Sequence, residues 1–172
     1  MTNLFAPWRT GYASGTDTGD TKKEGIDADK CVFCQQLQEN NDKQNFILKR
    51  FEHSYVMLNK YPYNAGHLLI LPLRHVSALS QLEKNERNEL MELVSQSIEI
   101  LNTTLKNDGI NVGINLGKAG GAGIPSHLHI HTLPRWSGDT NFMPTIAQTK
   151  VISFDLCQFY DNLKPSFDEV TI

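Results

Sequence analysis

Three histidines at alternate positions form the strongest chemical signal in the sequence. The segment His127-Leu128-His129-Ile130-His131 holds three of the six histidines. On a β-strand successive side chains point to opposite faces, so the three imidazoles lie on one side while Leu128 and Ile130 point into the core. On a helix the same three residues span about 200° and share no face. The pattern therefore predicts a strand that carries a row of imidazoles and ends at Pro134.

Two chemistries suit such a row. Neutral imidazoles bind transition metals such as zinc. Alternatively, the middle imidazole is a nucleophile that its neighbours orient and polarise. The loop before the row, Gly117-Lys118-Ala119-Gly120-Gly121-Ala122-Gly123, favours the second chemistry. Glycines allow backbone N–H groups to approach an anion closely, and the lysine adds a cation, an arrangement that holds phosphate.

The cysteines suggest a second site. Cys31 and Cys34 have the spacing of zinc ligands, but they supply only half of a tetrahedral site. Two reduced thiols near the surface are the alternative. Thioredoxin-type redox chemistry is disfavoured because no βαβ pattern surrounds the pair. Cys157 stands alone and is predicted to be a buried apolar residue.

The composition is that of one globular domain spanning residues 1–172, with a mass of 19.4 kDa and 40% hydrophobic residues. The net charge of −3 gives no basic surplus, which disfavours nucleic acid as a partner. No apolar run approaches the roughly 18 residues of a membrane helix, and the first residues lack the pattern of a secretion signal. We therefore expect a cytoplasmic, reducing location without membrane association.

The elements that position these residues are predicted from periodicity. Apolar residues recur with a period near 3.6 over residues 79–106, which predicts one long helix, and Ser80 with Glu83 predicts a capping box at its start. Strands are predicted at residues 46–48, 55–58, 67–71 and 110–116, which makes an α+β domain. A polar, glycine-rich stretch at about 11–30 is predicted to be flexible. A weak helical pattern after Phe154 is expected to break at Pro165.

The chain resembles the histidine triad superfamily. Its segment His127-Leu-His-Ile-His-Thr-Leu133 is similar to the signature His-φ-His-φ-His-φ-φ, in which φ is apolar, and Thr132 is a departure from it. Residues 59–75 (NKYPYNAGHLLILPLRH) and 121–144 (GAGIPSHLHIHTLPRWSGDTNFMP) extend the resemblance to a bacterial branch with phosphorylase or hydrolase activity on dinucleoside polyphosphates. That branch also carries a Pro-Trp-Arg head and a Cys-x-x-Cys pair, as does this chain at Pro7-Trp8-Arg9 and Cys31-Val-Phe-Cys34.

The resemblance implies a fold with an antiparallel sheet and one long helix per subunit of a homodimer. It implies that His129 attacks the α-phosphate of a nucleotide to form a nucleotidyl-histidine, and that His131 binds or orients phosphate. His127 would support the row or bind a metal. The ribose and phosphates of the substrate would be held by Asn59, His67, Asn115, Gly121, Gly123 and Ser126.

The resemblance also completes the metal site. In relatives that bind zinc, the remaining ligands match His75 and His127, which implies a structural zinc held by these histidines with Cys31 and Cys34. A divalent cation that accompanies the substrate phosphates is a further expectation. The acceptor of the second step, water or phosphate, stays open. The rival readings are a purine nucleoside phosphoramidate hydrolase, a nucleotide-binding regulator with slow catalysis, and a metal-binding module that uses the histidine row itself.

Overall fold

The computed structural model describes residues 31–148 and 154–172. The predicted flexible stretch at 11–30 lies outside these residues. Within them, the strands are β1 (Ile47–Arg50), β2 (Ser54–Leu58), β3 (Leu68–Pro72), β4 (Gly109–Ile114) and β5 (Ile130–Arg135). These five strands form one antiparallel sheet in the order β1-β2-β3-β5-β4. The helices are α1 (Val32–Gln38), α2 (Lys84–Leu105), α3 (Met143–Ala147) and α4 (Leu156–Asp168). The α+β prediction is confirmed.

The sheet has two apolar faces that are covered by different helices. Alternate residues along a strand point to opposite faces, so neighbouring apolar residues enter different cores. Leu68 and Ile70 of β3 pack with the buried stripe of α2 and with α4. Leu69 and Leu71 face the other way and pack with the start of α1. His131 pairs with Leu69 across β3 and β5, which places the histidine row on the α1 side of the sheet.

The long helix is shorter than its apolar pattern predicts. A 3₁₀ turn occupies Leu79–Gln81, and α2 begins only at Lys84. The capping box lies one turn later than expected, because Glu83 is the N-cap and its backbone N–H donates to the carboxylate of Glu86 at 2.6 Å. The predicted box at Ser80 is therefore wrong. No helix in the described part of the chain is both long and apolar enough to span a bilayer.

Two predictions for the C-terminal segment are also wrong. Helix α4 continues through Pro165, which is exposed, to Asp168. Tyr160, Leu163 and Phe167 are buried on one face of this helix, so tertiary packing outweighs the hydrogen bond that the proline removes. Cys157 is exposed near the start of α4, opposite to the prediction that it is buried.

The histidine segment is only partly a paired strand. Strand β5 begins at Ile130, and the residue before the middle histidine, Leu128, instead donates its N–H to the carbonyl of Val76 at 2.6 Å. Leu128 and Ile130 are nevertheless both in the core with α2, which confirms the predicted alternation of faces. The strand does not end at Pro134 as predicted but continues to Arg135. Beyond Thr132, β5 pairs with β4 alone. Among the described residues its other side has no neighbouring strand there, so the backbone N–H that proline lacks is not needed.

Gly66 sets the position of His67, the residue that follows it. Gly66 has a φ of +69°, and a Cβ at this position would lie 2.5 Å from the side chain of Leu105 and 3.3 Å from that of Pro134. Only glycine accepts both this backbone conformation and this close contact. The turn therefore fits tightly against the end of α2 and leads directly into β3.

An ion pair between the exposed Arg74 and the buried Glu86 holds the start of α2 and predicts a pH-dependent stability. Arg74 donates to both carboxylate oxygens of Glu86 at 2.6 Å, and this interaction lowers the pKa of the buried Glu86 to about 2. We expect Glu86→Gln to lower the free energy of unfolding by about 1–3 kcal/mol at pH 7. Because the folded-state pKa lies below the unfolded value of about 4.3, the stabilisation is complete above that value and is lost as the pH falls toward 2.

Urea unfolding of both proteins at pH 7, 5 and 3 checks this expectation. The difference between wild type and Glu86→Gln should shrink at pH 3. The exposed Glu99 on the same helix offers a matched control, Glu99→Gln, which should change stability by less than about 0.5 kcal/mol. A difference between wild type and Glu86→Gln that stays constant from pH 7 to pH 3 would contradict the role of the Glu86 charge.

Candidate active site and metal centre

The three histidines of the row share a side of the segment but have different partners. His127 and His129 are buried, with 1% and 5% of their surface exposed, and His131 is half-buried. The rings of His129 and His131 lie with their centroids 4.9 Å apart, nearly perpendicular to each other. The His127 ring instead contacts His75 in a T-shaped arrangement. His129 and His131 are therefore close enough to act on one substrate group, whereas His127 faces the cysteines.

A chain of hydrogen bonds fixes the proton positions on His67. The backbone N–H of Tyr63 donates to Nδ1 of His67 at 3.1 Å, and the amide of Asn59 lies 3.2 Å from the same nitrogen. The Asn59 amide points its NH₂ group at His67, because its oxygen accepts the N–H of Tyr61 at 2.9 Å. Burial, with the neighbouring His131 and His129, lowers the pKa of His67 to about 3. His67 is thus neutral at pH 7 and carries its proton on Nε2.

The proton on His67 determines the tautomer of His131. The Nε2–H of His67 donates to Nδ1 of His131 at 2.9 Å. Burial, followed by the nearby His129, lowers the pKa of His131 to about 4, so this imidazole is also neutral at pH 7. Its single proton is therefore on Nε2. This Nε2 atom is buried and has no hydrogen-bond partner within the described residues, which leaves a donor available to a substrate.

His129 has the opposite arrangement. Its Nδ1 lies 2.8 Å from the backbone carbonyl of His127, an acceptor, so Nδ1 carries the proton. Burial lowers the pKa of His129, and the bond to the His127 carbonyl partly opposes this shift. The neutral ring therefore has its lone pair on Nε2. A nucleophilic nitrogen on His129 thus neighbours a histidine whose Nε2–H is a donor.

Tyr63 is a site residue that the sequence does not reveal. Its N–H bonds to His67, and its ring lies 4.7 Å from the His67 ring and stacks on His131 at 5.7 Å. In the sequence Tyr63 lies in the segment Tyr61-Pro62-Tyr63-Asn64-Ala65-Gly66, which predicts only a turn. The separation of 68 positions between Tyr63 and His131 leaves no local pattern that could indicate their contact.

Four metal-ligating side chains converge at the start of α1. The thiols of Cys31 and Cys34 and one ring nitrogen of each of His75 and His127 all lie within 4.8 Å of one another. Cys31 Sγ is 3.4 Å from Nδ1 of His127, and Cys34 Sγ is 3.3 Å from Nδ1 of His75. Neighbouring sulfur and nitrogen ligands of tetrahedral zinc are separated by about 3.6 Å, as follows from the usual bond lengths. The four residues therefore fit a closed, four-coordinate metal site.

The second nitrogen of His127 supports this orientation. Its Nε2 donates to the carbonyl of Pro72 at 3.0 Å, which leaves the lone pair of Nδ1 directed at the thiols. Metal-binding histidines commonly donate their other ring N–H to a carbonyl in this way. The His127 side chain is thus directed at the two thiols, while its backbone carbonyl anchors His129.

The remaining predicted site residues lie in or beside the glycine-rich loop. Asn115 follows β4, is half-buried, and contacts the carbonyl of Gly121 with its amide at 3.5 Å. Gly121 has a φ of +85°, a conformation that favours glycine. Gly121 and Gly123 are exposed, and Ser126 is half-buried directly before the histidine row.

Comparison with known proteins gives a family and close relatives. Residues 40–138 match the HIT domain family model. The chain is 36% identical to AP-4-A phosphorylase of Mycobacterium tuberculosis over 153 residues, which cover 88% of this chain and 77% of that protein. It is 33% identical to Bis(5'-adenosyl)-triphosphatase of Saccharomyces cerevisiae over 91 residues, 52% of this chain and 44% of that protein. A Zn-bound histidine triad family protein from Mycobacterium smegmatis has a similar structure, with a TM-score of 0.67 at 22% identity over 83% of this chain and 96% of that chain.

The fold and the paired histidines define a histidine triad protein. The chain belongs to the HIT domain family, as the match over more than half of its length shows.

Proposed function

We propose that this protein cleaves dinucleoside polyphosphates, such as diadenosine tetraphosphate, through a nucleotidyl intermediate on His129. The main support for this proposal is that His129 and His131 carry their protons on different ring nitrogens. His129 offers a lone pair on Nε2, and His131 next to it offers an N–H that has no partner among residues 31–148 and 154–172. The 36% identical relative, AP-4-A phosphorylase, carries this substrate class in its name. The protein is therefore assigned to the nucleotide hydrolases and phosphorylases of its family.

In the first step, Nε2 of His129 attacks the α-phosphorus. A nitrogen–phosphorus bond forms, and the bond to the bridging oxygen breaks, so that a nucleoside polyphosphate leaves. The Nε2–H of His131 donates to a phosphate oxygen and stabilises the charge that develops there. His129 must stay neutral to attack, and its burial favours the neutral form. Covalent catalysis of this kind replaces one difficult displacement by two easier ones.

In the second step, an acceptor attacks the same phosphorus and releases His129. Inorganic phosphate as acceptor yields a nucleoside diphosphate, and water yields a nucleoside monophosphate. We propose phosphate, in line with the phosphorylase name of the relative. Lys118 in the exposed glycine-rich loop offers a cation for the phosphates. We propose that the substrate is held by Asn59, His67, Asn115, Gly121, Gly123 and Ser126, and that a divalent cation accompanies its phosphates.

We further propose that the four-residue cluster holds a structural zinc ion. Cys31, Cys34, His75 and His127 supply two thiolates and two imidazoles, a ligand set that zinc prefers. All four positions are taken by protein, so the ion would stabilise the fold and tie α1 to the sheet. Thiolate ligands bind zinc only while the cysteines stay reduced, so the proposed site is consistent with the expected cytoplasmic location.

We propose a homodimer that forms through β4. The other edge strand, β1, is covered by the C-terminal segment, because Tyr160 of α4 donates to the backbone carbonyl of Ile47 and Lys49 donates to the carbonyls of Asp168 and Val170. Strand β4 has an open edge within the described residues, and Val112 on it is 46% exposed. Exposed edges of this kind pair with other strands. We expect Val112→Asp to convert dimer to monomer in sedimentation velocity experiments, whereas the exposed Met91→Asp on α2 should leave the dimer intact. A monomeric wild-type protein would contradict this assembly.

The hydrogen-bond chain predicts a specific effect of His67. In His67→Leu, Nδ1 of His131 loses its donor, so the proton of His131 is no longer confined to Nε2. Loss of a group that orients a functional histidine typically costs 10–100-fold, and we expect kcat to fall by about this factor. Steady-state kinetics with diadenosine tetraphosphate measures the change. His67→Gln, which retains a donor, should recover part of the activity. Equal losses in the two variants would argue against the donor role.

Product analysis tests the proposed function. The full-length protein is incubated with diadenosine tetraphosphate, with and without inorganic phosphate, and the nucleotides are separated. ADP plus ATP formed only with phosphate is the expected result. AMP plus ATP without phosphate would assign the hydrolase reaction instead. Tight nucleotide binding without turnover would reject this substrate and favour a phosphoramidate hydrolase or a nucleotide-binding regulator.

A further inference from the structure

The Phe33 side chain lies between the four proposed metal ligands and the proposed nucleophile, His129. Phe33 lies between Cys31 and Cys34 in the first turn of α1 and is 6% exposed. Its ring centroid is 5.5 Å from that of His127, with the rings nearly perpendicular, and 5.6 Å from that of His129. One buried aromatic ring therefore contacts both a metal-ligating histidine and the proposed nucleophile.

The His129 ring needs such a contact to keep its orientation. The hydrogen bond from Nδ1 to the His127 carbonyl fixes one atom of the ring but allows the ring to tilt about that bond. Packing against Phe33 and the perpendicular His131 restricts the tilt. Nε2 is on the opposite side of the imidazole from the anchored edge, so a small tilt displaces the attacking atom. A misplacement of about 1 Å can lower a reaction rate about 100-fold.

The position of Phe33 depends in turn on the start of α1. This helix has seven residues and no side-chain hydrogen bond at its N-cap, Cys31. Isolated helices this short are unstable, so α1 needs tertiary contacts to stay in place. The two thiols on either side of Phe33 in the sequence face His75 and His127, which belong to the rest of the fold. A metal bound to all four residues would hold the first turn of α1, and Phe33 with it, against the histidine row.

We propose that Phe33 is a positioning residue through which occupancy of the Cys31–Cys34–His75–His127 site controls the alignment of His129. With the metal bound, the Phe33 ring holds the imidazole in line with the α-phosphorus. When the metal is removed, or when the thiols are oxidised to a disulfide by an external oxidant of the peroxide or disulfide class, the first turn of α1 is released. This inference rests on the proposed function, because it concerns the rate of the His129 step.

Phe33→Ala and removal of the metal should therefore act on the same property. We expect Phe33→Ala to lower kcat on diadenosine tetraphosphate by about 10–100-fold while KM changes less than about threefold. Chelation should lower kcat of the wild type to a similar extent, and chelation of Phe33→Ala should add little. Phe33→Leu, which keeps most of the buried volume, should recover part of kcat. Leu37→Ala is the matched control, since Leu37 packs in the same apolar cluster from the same helix.

Two readouts do not depend on turnover. Zinc content measured on the purified full-length variants should be unchanged in Phe33→Ala. Nitrogen-15 NMR of the imidazoles should show a sharp Nδ1–H signal for His129 in the metal-loaded wild type, and this signal should broaden or disappear in Phe33→Ala and in the metal-free protein. If the wild type does not turn over diadenosine tetraphosphate, the proposed function fails, but this NMR comparison still decides whether Phe33 positions His129.

Several outcomes would overturn the proposal. If Phe33→Ala raises KM and leaves kcat unchanged, Phe33 is a substrate contact and not a positioning residue. If the fold-reductions in kcat caused by Phe33→Ala and by chelation multiply when the two are combined, the two effects are independent. An equal fall in kcat for Leu37→Ala would indicate general destabilisation of α1. An unchanged His129 signal in both the variant and the metal-free protein would remove the physical basis of the coupling.

Discussion

His129→Ala is expected to abolish turnover of diadenosine tetraphosphate, with a fall in kcat of at least about 10⁴-fold. Loss of a nucleophile in a covalent mechanism removes the intermediate itself, and the neighbouring groups cannot replace it. His131 is the nearest histidine, but its Nδ1 accepts a hydrogen bond from His67 and its Nε2 carries the proton. The variant should still bind nucleotide within a few-fold of wild type, because the proposed ribose and phosphate contacts are unchanged. Rapid-quench kinetics and equilibrium binding measure the two quantities.

The control for this prediction is a histidine outside the site. His53 lies between β1 and β2 and bonds to Asn85 of α2, so His53→Ala should retain nearly full turnover. Residual activity of His129→Ala well above about 0.01% of wild type would show that another group attacks phosphorus. A parallel loss of binding and turnover would indicate a folding defect, and thermal unfolding of the variant distinguishes this outcome.

Removal of the cysteine ligands is expected to have the largest effect on stability. The double variant Cys31→Ser, Cys34→Ser loses both thiolates of the cluster. A metal that binds only the folded state contributes about 4 kcal/mol when its free concentration is a thousand times its Kd. Loss of this contribution should lower Tm by roughly 8–16 °C for a chain of this size. Differential scanning calorimetry with and without added zinc measures the shift.

Cys157 supplies the matched control. It is exposed and lies outside the cluster, so Cys157→Ser should unfold within about 1 °C of wild type and should retain the same zinc content. In wild type, a chelator should lower Tm by as much as the double substitution does, and it should have no further effect on the double variant. Equal Tm values for wild type with and without zinc would contradict the structural role of the site.

The pattern of the histidine segment predicts the faces of its residues better than it predicts where strand pairing begins. The alternation of His127, His129 and His131 with apolar residues correctly places Leu128 and Ile130 in the core, because that pattern depends only on extended backbone. It does not show that pairing begins at Ile130, since the preceding residues bond to the loop before α2 rather than to a strand. Hydrogen bonding between distant segments has no local signature.

Local sequence patterns also misplace the boundaries of the helices. Periodicity finds the buried stripe of α2 but extends it into the 3₁₀ turn at Leu79–Gln81, because Leu79 in this turn and Leu82 directly after it also pack against the core. Proline inside α4 is tolerated because it is exposed while Leu163 and Phe167 anchor the opposite face. In both cases tertiary packing decides where the helix begins or ends, and local propensity alone gives the wrong residue.

The tautomers of the three histidines become visible only in the structure. The sequence pattern places the three imidazoles on one face and the resemblance implies a different role for each, but neither shows which ring nitrogen carries the proton. In the structure the tautomer of each ring depends on a partner from elsewhere in the chain: Pro72 for His127, a backbone carbonyl for His129, and His67 for His131. The resemblance correctly groups His75 with the cysteines, but the contacts of Phe33 and Tyr63 become visible only when the segments are brought together.

Capture of the covalent intermediate tests most directly whether His129 is the nucleophile. Protein and diadenosine tetraphosphate are mixed in a single turnover without inorganic phosphate, quenched in base, which preserves histidine–phosphorus bonds, and digested for mass spectrometry of the peptides. We expect an adenylyl group on His129 and on no other residue, and its loss when phosphate is added before the quench. Adenylylation of His131, or product release in one turnover with no modified peptide at any time, would contradict the assignment of His129 as the nucleophile.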